Sequence, residues 1–299
     1  MFGKIGSRQL PLHLMVLPAL VLVLVFSYGP IAGLVIAFQK YSIVKGIGDS
    51  EWIGWDNFHY VFALPGTGDV IWNTVYISFM KIVAGLFAPI VTALLLNEVR
   101  VSFIKRGVQT LIYLPHFLSW IILGGIMIDI LSPSYGLVNQ ALTFVGLEPI
   151  FFLGDNRWFP YLLVLSDVWK EFGFSTIVYL AALTNINPTL YEAAVMDGAG
   201  RWKQTLHVTL PGMLPIIVLM STLSLGNVLN AGFEQVFNLY SPQVYESGDI
   251  IDTLVYRLGL VDGQYAVATA MGMFKSAVSV VFVSVSYYLA YRLANYRIF

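Results

Sequence analysis

The chain has 299 residues, of which 58% are hydrophobic and 11% charged, with a mean hydropathy of +0.76 and a formal net charge of −1. Soluble globular chains carry roughly 25% charged residues, so this composition reads as a polytopic membrane protein. The near-neutral balance argues against a nucleic-acid partner. The absence of cysteine removes disulfides, thiolate metal sites and cysteine nucleophiles.

A spanning helix needs roughly 20 mostly apolar residues. Six segments qualify in chain order: 12–38, 71–96, 108–131, 160–183, 212–231 and 267–291. The first is too long for a signal-peptide core and is read as a retained helix with a basic flank at Lys4 and Arg8. Orientation follows from Lys and Arg near the span ends. An internal N-terminus puts Lys4, Arg8, Arg100, Lys105, Arg106, Arg201, Lys203, Arg292 and Arg297 on the cytoplasmic side. Lys40, Lys45, Arg157 and Arg257 then lie outside, a balance of nine to four that favours N-in, C-in.

The outer loops, 39–70, 132–159 and 232–266, hold Trp52, Trp55, Phe58, Tyr60, Trp158, Tyr240 and Tyr245, candidates for interfacial anchors. In the last loop, Ile250, Ile251, Leu254, Val255 and Leu258 have helical spacing and predict a short helix lying at the outer face.

Between the fourth and fifth spans stands a polar, punctuated stretch, YEAAVMDGAGRWKQTLHVTLPGMLP, residues 191–215. Asn187-Pro188 is a helix start, with Asn as cap and Pro at the first helical position. Tyr191, Val195, Ala199, Trp202 and Leu206 make one apolar stripe. Gly198 and Gly200 bracket a turn, and Leu210-Pro211 is expected to stop the pattern before the next span. The expectation is an amphipathic helix pair under the membrane, joined at a glycine turn.

Charge inside a span is costly and marks a candidate functional site. Asp167 and Glu171 are four residues apart on the fourth span, with Phe174 on the same face. Lys170 is placed to neutralise one of these acids. Asn227 and Asn230 are three apart on the fifth span and are expected to share a face. Carboxylates and amides suit sugar hydroxyls, and an aromatic ring suits a sugar face. The rival reading is structural: a Lys170 ion pair and interhelical asparagine bonds. Lys81 sits mid-span, Lys275 is placed to pair with an acid on a neighbouring helix, and Asp129 and Glu234 fall near the outer surface. His116 reads as a packing or hydrogen-bonding histidine, and His13, His59, His116 and His207 lack metal-ligand spacing. Ala268, Gly272 and Ser276 form a small-residue face on the last span. No GxxxxGK[ST] phosphate loop and no clustered catalytic set is present.

Glu192-Ala193-Ala194, then Gly198, then Val208-Thr209-Leu210-Pro211 resembles the EAA loop of binding-protein-dependent ABC importer permeases, with Val208 where Ile is usual. Asn73-Thr74-Val75, Tyr113-Leu114-Pro115 with Trp120, and Gly263-Gln264-Tyr265 with Ala268, Ala270 and Gly272 resemble the carbohydrate-uptake branch, the maltose-permease-like and LplB-like oligosaccharide and polysaccharide subunits. The resemblance implies an all-α membrane fold of six transmembrane helices with a MetI-like core of five. It divides the chain into a first helix and outer loop at 1–70, a permease core at 71–291 with a coupling loop at 184–211, and a cytoplasmic tail at 292–299.

For function, the resemblance implies ATP-driven alternating access for an oligosaccharide or polysaccharide fragment in the cell membrane, with no enzyme activity in this chain. Glu192, Ala193, Ala194, Asp197, Gly198, Ala199, Leu210 and Pro211 would couple to the ATPase. Asp167, Glu171, Phe174, Asn227 and Asn230 would line the substrate pathway, although the family's usual Asn, Gly and aromatic residues make Asp167 and Glu171 departures. The chain itself would bind no metal or cofactor; ATP and Mg belong to two partner ATPase subunits. The remaining implied partners are a second homologous permease subunit, an extracytoplasmic solute-binding protein and membrane lipid. The alternatives are an importer subunit for a non-sugar solute such as glycerol phosphate or an amino acid, and an ion-coupled secondary transporter.

Overall fold

A computed structural model describes residues 10–294. Lys4, Arg8 and Arg297 of the orientation argument, and most of the 292–299 tail, lie outside the described residues. The described residues are mostly helical, as the apolar runs require. Backbone polar groups cannot be left open in lipid, and a helix satisfies them within one segment.

In chain order, α1 is Leu10–Val23, continued by a π turn (Leu24–Tyr28) and a 3-10 segment (Gly29–Phe38). A two-stranded ladder of β1 (Gln39–Lys40) and β2 (Glu51–Trp52) follows, then α2 (Asp56–Ala63) and the 32-residue α3 (Thr67–Glu98). Next come α4 (Ser102–Tyr113), a 3-10 turn (Leu114–Phe117), α5 (Trp120–Leu131), α6 (Leu137–Phe144) and α7 (Phe159–Thr184). The second half holds α8 (Pro188–Met196), α9 (Arg201–Gln204), a π turn (Thr205–Thr209), α10 (Leu210–Leu225) and α11 (Phe233–Leu239). It closes with α12 (Tyr245–Gly248), α13 (Ile251–Tyr256), a π turn (Arg257–Val261) and α14 (Tyr265–Ala294).

Among the described residues, four helical runs are long and apolar enough to cross a membrane: Leu12–Phe38, Thr67–Glu98, Arg201–Leu225 and Tyr265–Tyr288. The expected third span, 108–131, is not one straight helix. Ser102–Phe117 and Trp120–Leu131 meet at a bend of 103°, and the pair together makes a fifth candidate. Pro115 lacks an amide hydrogen and its ring opposes α-helix continuation, so α4 gives way to the 3-10 turn there, and the bend itself falls at the extended Leu118 and Ser119. α7 is 26 residues long but carries Asp167, Lys170 and Glu171, which keep it below the apolar threshold.

The residues divide into two compact units. One contains residues up to 64 together with 255–274. In it the ladder pairs Gln39 with Trp52 and Lys40 with Glu51. Asn57 Nδ2 donates to the carbonyls of Ala37 (2.8 Å) and Gln39 (2.9 Å), fixing α2 under the ladder. Phe38 stacks on Trp52 at 5.5 Å and meets Trp55 and Phe58 edgewise or tilted, so several of the aromatics read as membrane anchors pack against one another.

The other unit contains residues 65–254 and those from 275 onward. Its frame is α3 packed along α7. One core cluster holds Ile77, Phe159, Leu163, Val236, Val244 and Ile250, and a second holds Ala93, Tyr179, Leu183, Ile186 and Met213. Gly173 lets α7 approach the end of α4: a Cβ there would lie 2.0 Å from the Ile112 carbonyl oxygen. The helix predicted from Ile250 onward forms, but Ile250 and Ile251 are fully buried in protein. Asn73 Nδ2 donates to Glu246 O (2.9 Å) and Thr74 Oγ1 accepts from Ile251 N (2.9 Å), which anchors the segment around α12 and α13 to the first turns of α3. The Asn-Thr pair thus has a structural task.

Candidate functional site

Two sites emerge, one in the polar hairpin and one where α7 meets the breaks in its neighbours.

The hairpin forms as a capped helix, a tight turn and a second helix. Asn187 Oδ1 accepts from Thr189 N at 3.0 Å and Pro188 occupies the first turn of α8. Gly198 has φ of +73°, the left-handed conformation that glycine adopts without Cβ cost. Ala199 N bonds to Ala194 O at 2.9 Å and Gln204 Nε2 to Ala199 O at 2.8 Å, which closes the turn. Tyr191 Oη and Thr209 Oγ1 are 3.0 Å apart and tie α8 to the π turn.

The expectation that Leu210-Pro211 stops the helix is corrected. The helical run from Arg201 passes through to Leu225. Leu210 N bonds back to Thr205 O, and this wider turn moves aside the carbonyl that the Pro211 ring would otherwise strike. The second arm of the hairpin is therefore mechanically continuous with a membrane span. The apolar stripe is only partly covered: Tyr191 packs inward, while Val195, Met196 and Trp202 are exposed. Glu192 and Asp197 are exposed beside them. Arg201 Nη1 contacts Glu98 Oε2 at 2.9 Å, linking the hairpin to the last residue of α3.

The second site is a set of paired charges. Asp167 and Glu171 lie on α7 as expected, but each has its own lysine. Lys81 of α3 lies 3.4 Å from Asp167, donates to Ala231 O at 2.7 Å and also contacts Gln235 Oε1. Gln235 in turn donates to Leu163 O and Ser166 Oγ, both at 2.7 Å. Lys170 Nζ lies 2.8 Å from Glu171 Oε1 and donates to His116 O at 2.9 Å. The other Glu171 oxygen meets His116 Nδ1 at 2.7 Å. The His116 ring lies parallel on Phe174 at 4.1 Å, and Lys170 sits over Trp120 at 5.7 Å. The structural pairing weighed for Lys170 is present, with Glu171 rather than Asp167 as partner. Lys275 pairs with Asp252 at 2.5 Å, while Asp129 and Glu234 are exposed.

Asn227 and Asn230 do not share a helical face. α10 ends at Leu225, and both residues lie in the turn that follows, with Asn230 N bonded to Asn227 O at 2.8 Å. Gly226 begins this turn and Gly232, at φ +89°, ends it before α11. Residues missed by sequence reasoning are Gln235, which is completely buried, and Glu98. A glutamine three residues beyond a glycine, at the start of the expected outer loop, was the available signal for the first.

Residues 81–298 match the family of binding-protein-dependent transport system inner membrane components. The chain is 44% identical over 283 residues to the polygalacturonan/rhamnogalacturonan transport system permease protein YteP of Bacillus subtilis (strain 168), covering 95% of this chain and 88% of that one. It is 39% identical to protein LplB of the same organism, covering 95% and 89%. Its fold is similar to a solved bacterial alginate ABC transporter in complex with an alginate pentasaccharide-bound periplasmic protein, with TM-score 0.88, 39% identity and 96% of each chain covered. The chain belongs to the family of binding-protein-dependent transport system inner membrane components. It is a membrane-embedded permease subunit of an ABC transporter and carries no ATPase of its own.

Proposed function

We propose that the chain carries an oligosaccharide or polysaccharide fragment across the membrane by ATP-driven alternating access. YteP is named for polygalacturonan and rhamnogalacturonan, and the solved neighbour for alginate. The substrate proposed here belongs to the same class of acidic sugar chains. The neutralised carboxylates of α7 support it: Asp167 and Glu171, each beside a lysine, do not present the bare negative charge that would repel such a chain.

The observation that carries the reading is the hairpin at 184–211. It is closed by its own hydrogen bonds, exposes Glu192, Val195, Met196 and Trp202, and runs without a break into the span ending at Leu225. Such a lever passes displacement from a cytoplasmic ATPase to the pathway. In this reading Glu192, Ala193, Ala194, Asp197, Gly198 and Ala199 seat on the ATPase, and Leu210-Pro211 joins the lever to the span. Asp167, Glu171, Phe174, Asn227 and Asn230 border the pathway.

The topology that goes with it is six spans, N-in and C-in, with α7 and the broken pair α4 and α5 completing the apolar four. The permease core runs over 71–291, after a first helix and outer loop at 1–70 and before a tail at 292–299. The partners are a second, homologous permease chain, two ATPase subunits that bind ATP and Mg, and an extracytoplasmic binding protein. Isolation of the tagged chain from its native membrane in mild detergent, with mass spectrometry of stoichiometric partners, tests this. A P-loop ATPase and a second permease chain are expected. The chain alone, under conditions that keep other ABC complexes intact, would overturn the reading.

A further inference from the structure

Ile112 of α4 meets α7 at Gly173, near the middle of that 26-residue helix, where a Cβ would lie 2.0 Å from the Ile112 carbonyl oxygen. From Ile112 back to Ser102, α4 runs about 15 Å. That is half of a hydrocarbon layer of roughly 30 Å, so the first turn of α4 stands where acyl chains end and headgroups begin. The end of α3 agrees with this level. Glu98, its last residue, pairs with Arg201 of the hairpin at 2.9 Å, and both are largely exposed, as charges beyond the apolar layer are.

The side of α4 turned away from α7 has two parts. Phe103, Ile104, Gly107, Val108 and Leu111 recur at helical spacing and form one exposed apolar strip. Phe103 is 86% exposed and Leu111 71%. At the first-turn end of the strip stand three cations, Arg100, Lys105 and Arg106. None of the three makes an ion pair among the described residues. The nearest acid in sequence, Glu98, is already taken by Arg201. An apolar strip that ends in a collar of unpaired cations matches a ligand with two parts of its own, acyl chains and an anionic headgroup. Long Lys and Arg side chains reach the headgroup level while their stems cover apolar surface.

We propose that this surface holds an anionic phospholipid of the cytoplasmic leaflet, its acyl chains along Phe103, Ile104 and Leu111 and its headgroup among Arg100, Lys105 and Arg106. This rests on the topology proposed above. A zwitterionic lipid can fill the strip equally well but brings no net charge to the collar, so the site selects by headgroup charge. The seated lipid fixes the inner end of α4, and the close approach of Ile112 to Gly173 carries that constraint to α7. An acidic surface of an ATPase subunit is the rival occupant. The strip favours the lipid, because it asks for acyl chains beside the charge.

The test uses the complete importer in proteoliposomes. Gly107 has nothing within 4 Å of an added Cβ, and the chain has no cysteine. A bimane on Gly107→Cys therefore reports on the strip with Phe103 and the cations intact, once labelling of the partner subunits, measured on the parent importer, is subtracted. Phosphatidylglycerol brominated on its acyl chains is compared as a quencher with phosphatidylcholine brominated in the same way. The anionic lipid is expected to bind about fivefold more tightly, the scale of one cation at an anionic headgroup, and the preference should shrink as salt rises. Replacing Arg100, Lys105 and Arg106 together by Gln should bring the ratio to about one. Arg100→Lys with Arg106→Lys keeps the charge and should keep the preference, which separates lost charge from lost folding.

Equal quenching by the two lipids would overturn the proposal, as would a preference that survives removal of all three cations. Quenching by neither lipid would mean that protein covers the strip, and loss of the ATPase subunits from the neutralised importer would then identify the rival occupant. Ser102→Cys, at the collar, should react with an impermeant thiol reagent in inside-out vesicles only. Reaction in right-side-out vesicles would remove the topology and the proposal with it, whereas the quenching outcomes bear on the lipid alone and leave the sugar reading standing.

Discussion

Lys81 of α3 bonds to the carbonyl of Ala231, 150 residues away, at 2.7 Å, and so pins the turn that separates α10 from α11. The same ammonium lies 3.4 Å from Asp167 and contacts Gln235. One buried cation thereby joins α3, α7 and the turn between α10 and α11. A Cβ at Gly232 would sit 3.0 Å from Lys81 Nζ, so the left-handed glycine also makes room for it.

Lys81→Met removes the charge and leaves the Asp167 carboxylate and the Ala231 carbonyl without their partner. Breaking one side of a buried pair costs about 3–5 kcal/mol, so the detergent-solubilised protein should unfold at clearly lower temperature. Lys81→Met with Asp167→Asn should recover part of that loss, because no unpaired charge remains. Thermal unfolding of the three proteins in one detergent measures this. A single variant as stable as the parent would mean that the pair carries no stabilisation.

Gly173 offers a sharper steric test. An added Cβ would lie 2.0 Å from Ile112 O and 2.5 Å from Ile112 C, both rigid backbone atoms. Gly173→Ala must push α4 off α7, with a cost of about 1–3 kcal/mol or more by analogy with overpacked cores. Gly85→Ala meets nothing within 4 Å and should be tolerated, even stabilising its helix. Yield of folded protein after extraction distinguishes the two, and equal yields would refute the close approach.

How far the sequence foretold these contacts depends on the range of the physics involved. The hairpin was legible because its determinants are local: an Asn-Pro start, glycine at the turn and a polar run between apolar ones. Its continuity into the next span was not, because Leu210-Pro211 reads as a stop unless the π turn before it is known. Asp167 and Glu171 were placed on one α7 face by spacing alone. Their lysines were less readable: Lys81 is 86 residues from Asp167, and only the packing of α3 on α7 selects that pair. Asn227 and Asn230 misled because the apolar run continues past the true helix end, and hydropathy does not register a turn that buries Val228 and Leu229 and leaves both asparagines exposed.

Gly198→Ala tests the hairpin as a lever. Open space surrounds this glycine, so the substitution costs only the left-handed conformation, roughly 1–2 kcal/mol for an L-residue. The chain should insert and extract normally. ATP-driven uptake should fall several-fold while the ATPase subunits still hydrolyse ATP, because the turn that orients Glu192 and Asp197 relaxes. Uptake matching the parent, together with a normal ratio of sugar carried to ATP hydrolysed, would remove Gly198 from the coupling role.

The Arg201–Glu98 pair separates stability from transmission. Both side chains are largely exposed, and exposed ion pairs contribute about 0–1 kcal/mol, so Glu98→Arg should barely move the unfolding temperature. Yet the contact joins the hairpin's second arm to the end of α3, the helix that carries Lys81. If the hairpin moves the spans partly through this link, Glu98→Arg slows uptake, and the exchange Glu98→Arg with Arg201→Glu restores it. Transport rates for the two singles and the exchange, at low and high salt, decide the matter. Rescue that weakens as salt rises is the expected result, since only an ionic contact at the surface is screened in that way. Slow uptake in both singles with no rescue in the exchange would mean that each residue meets a partner subunit instead of the other.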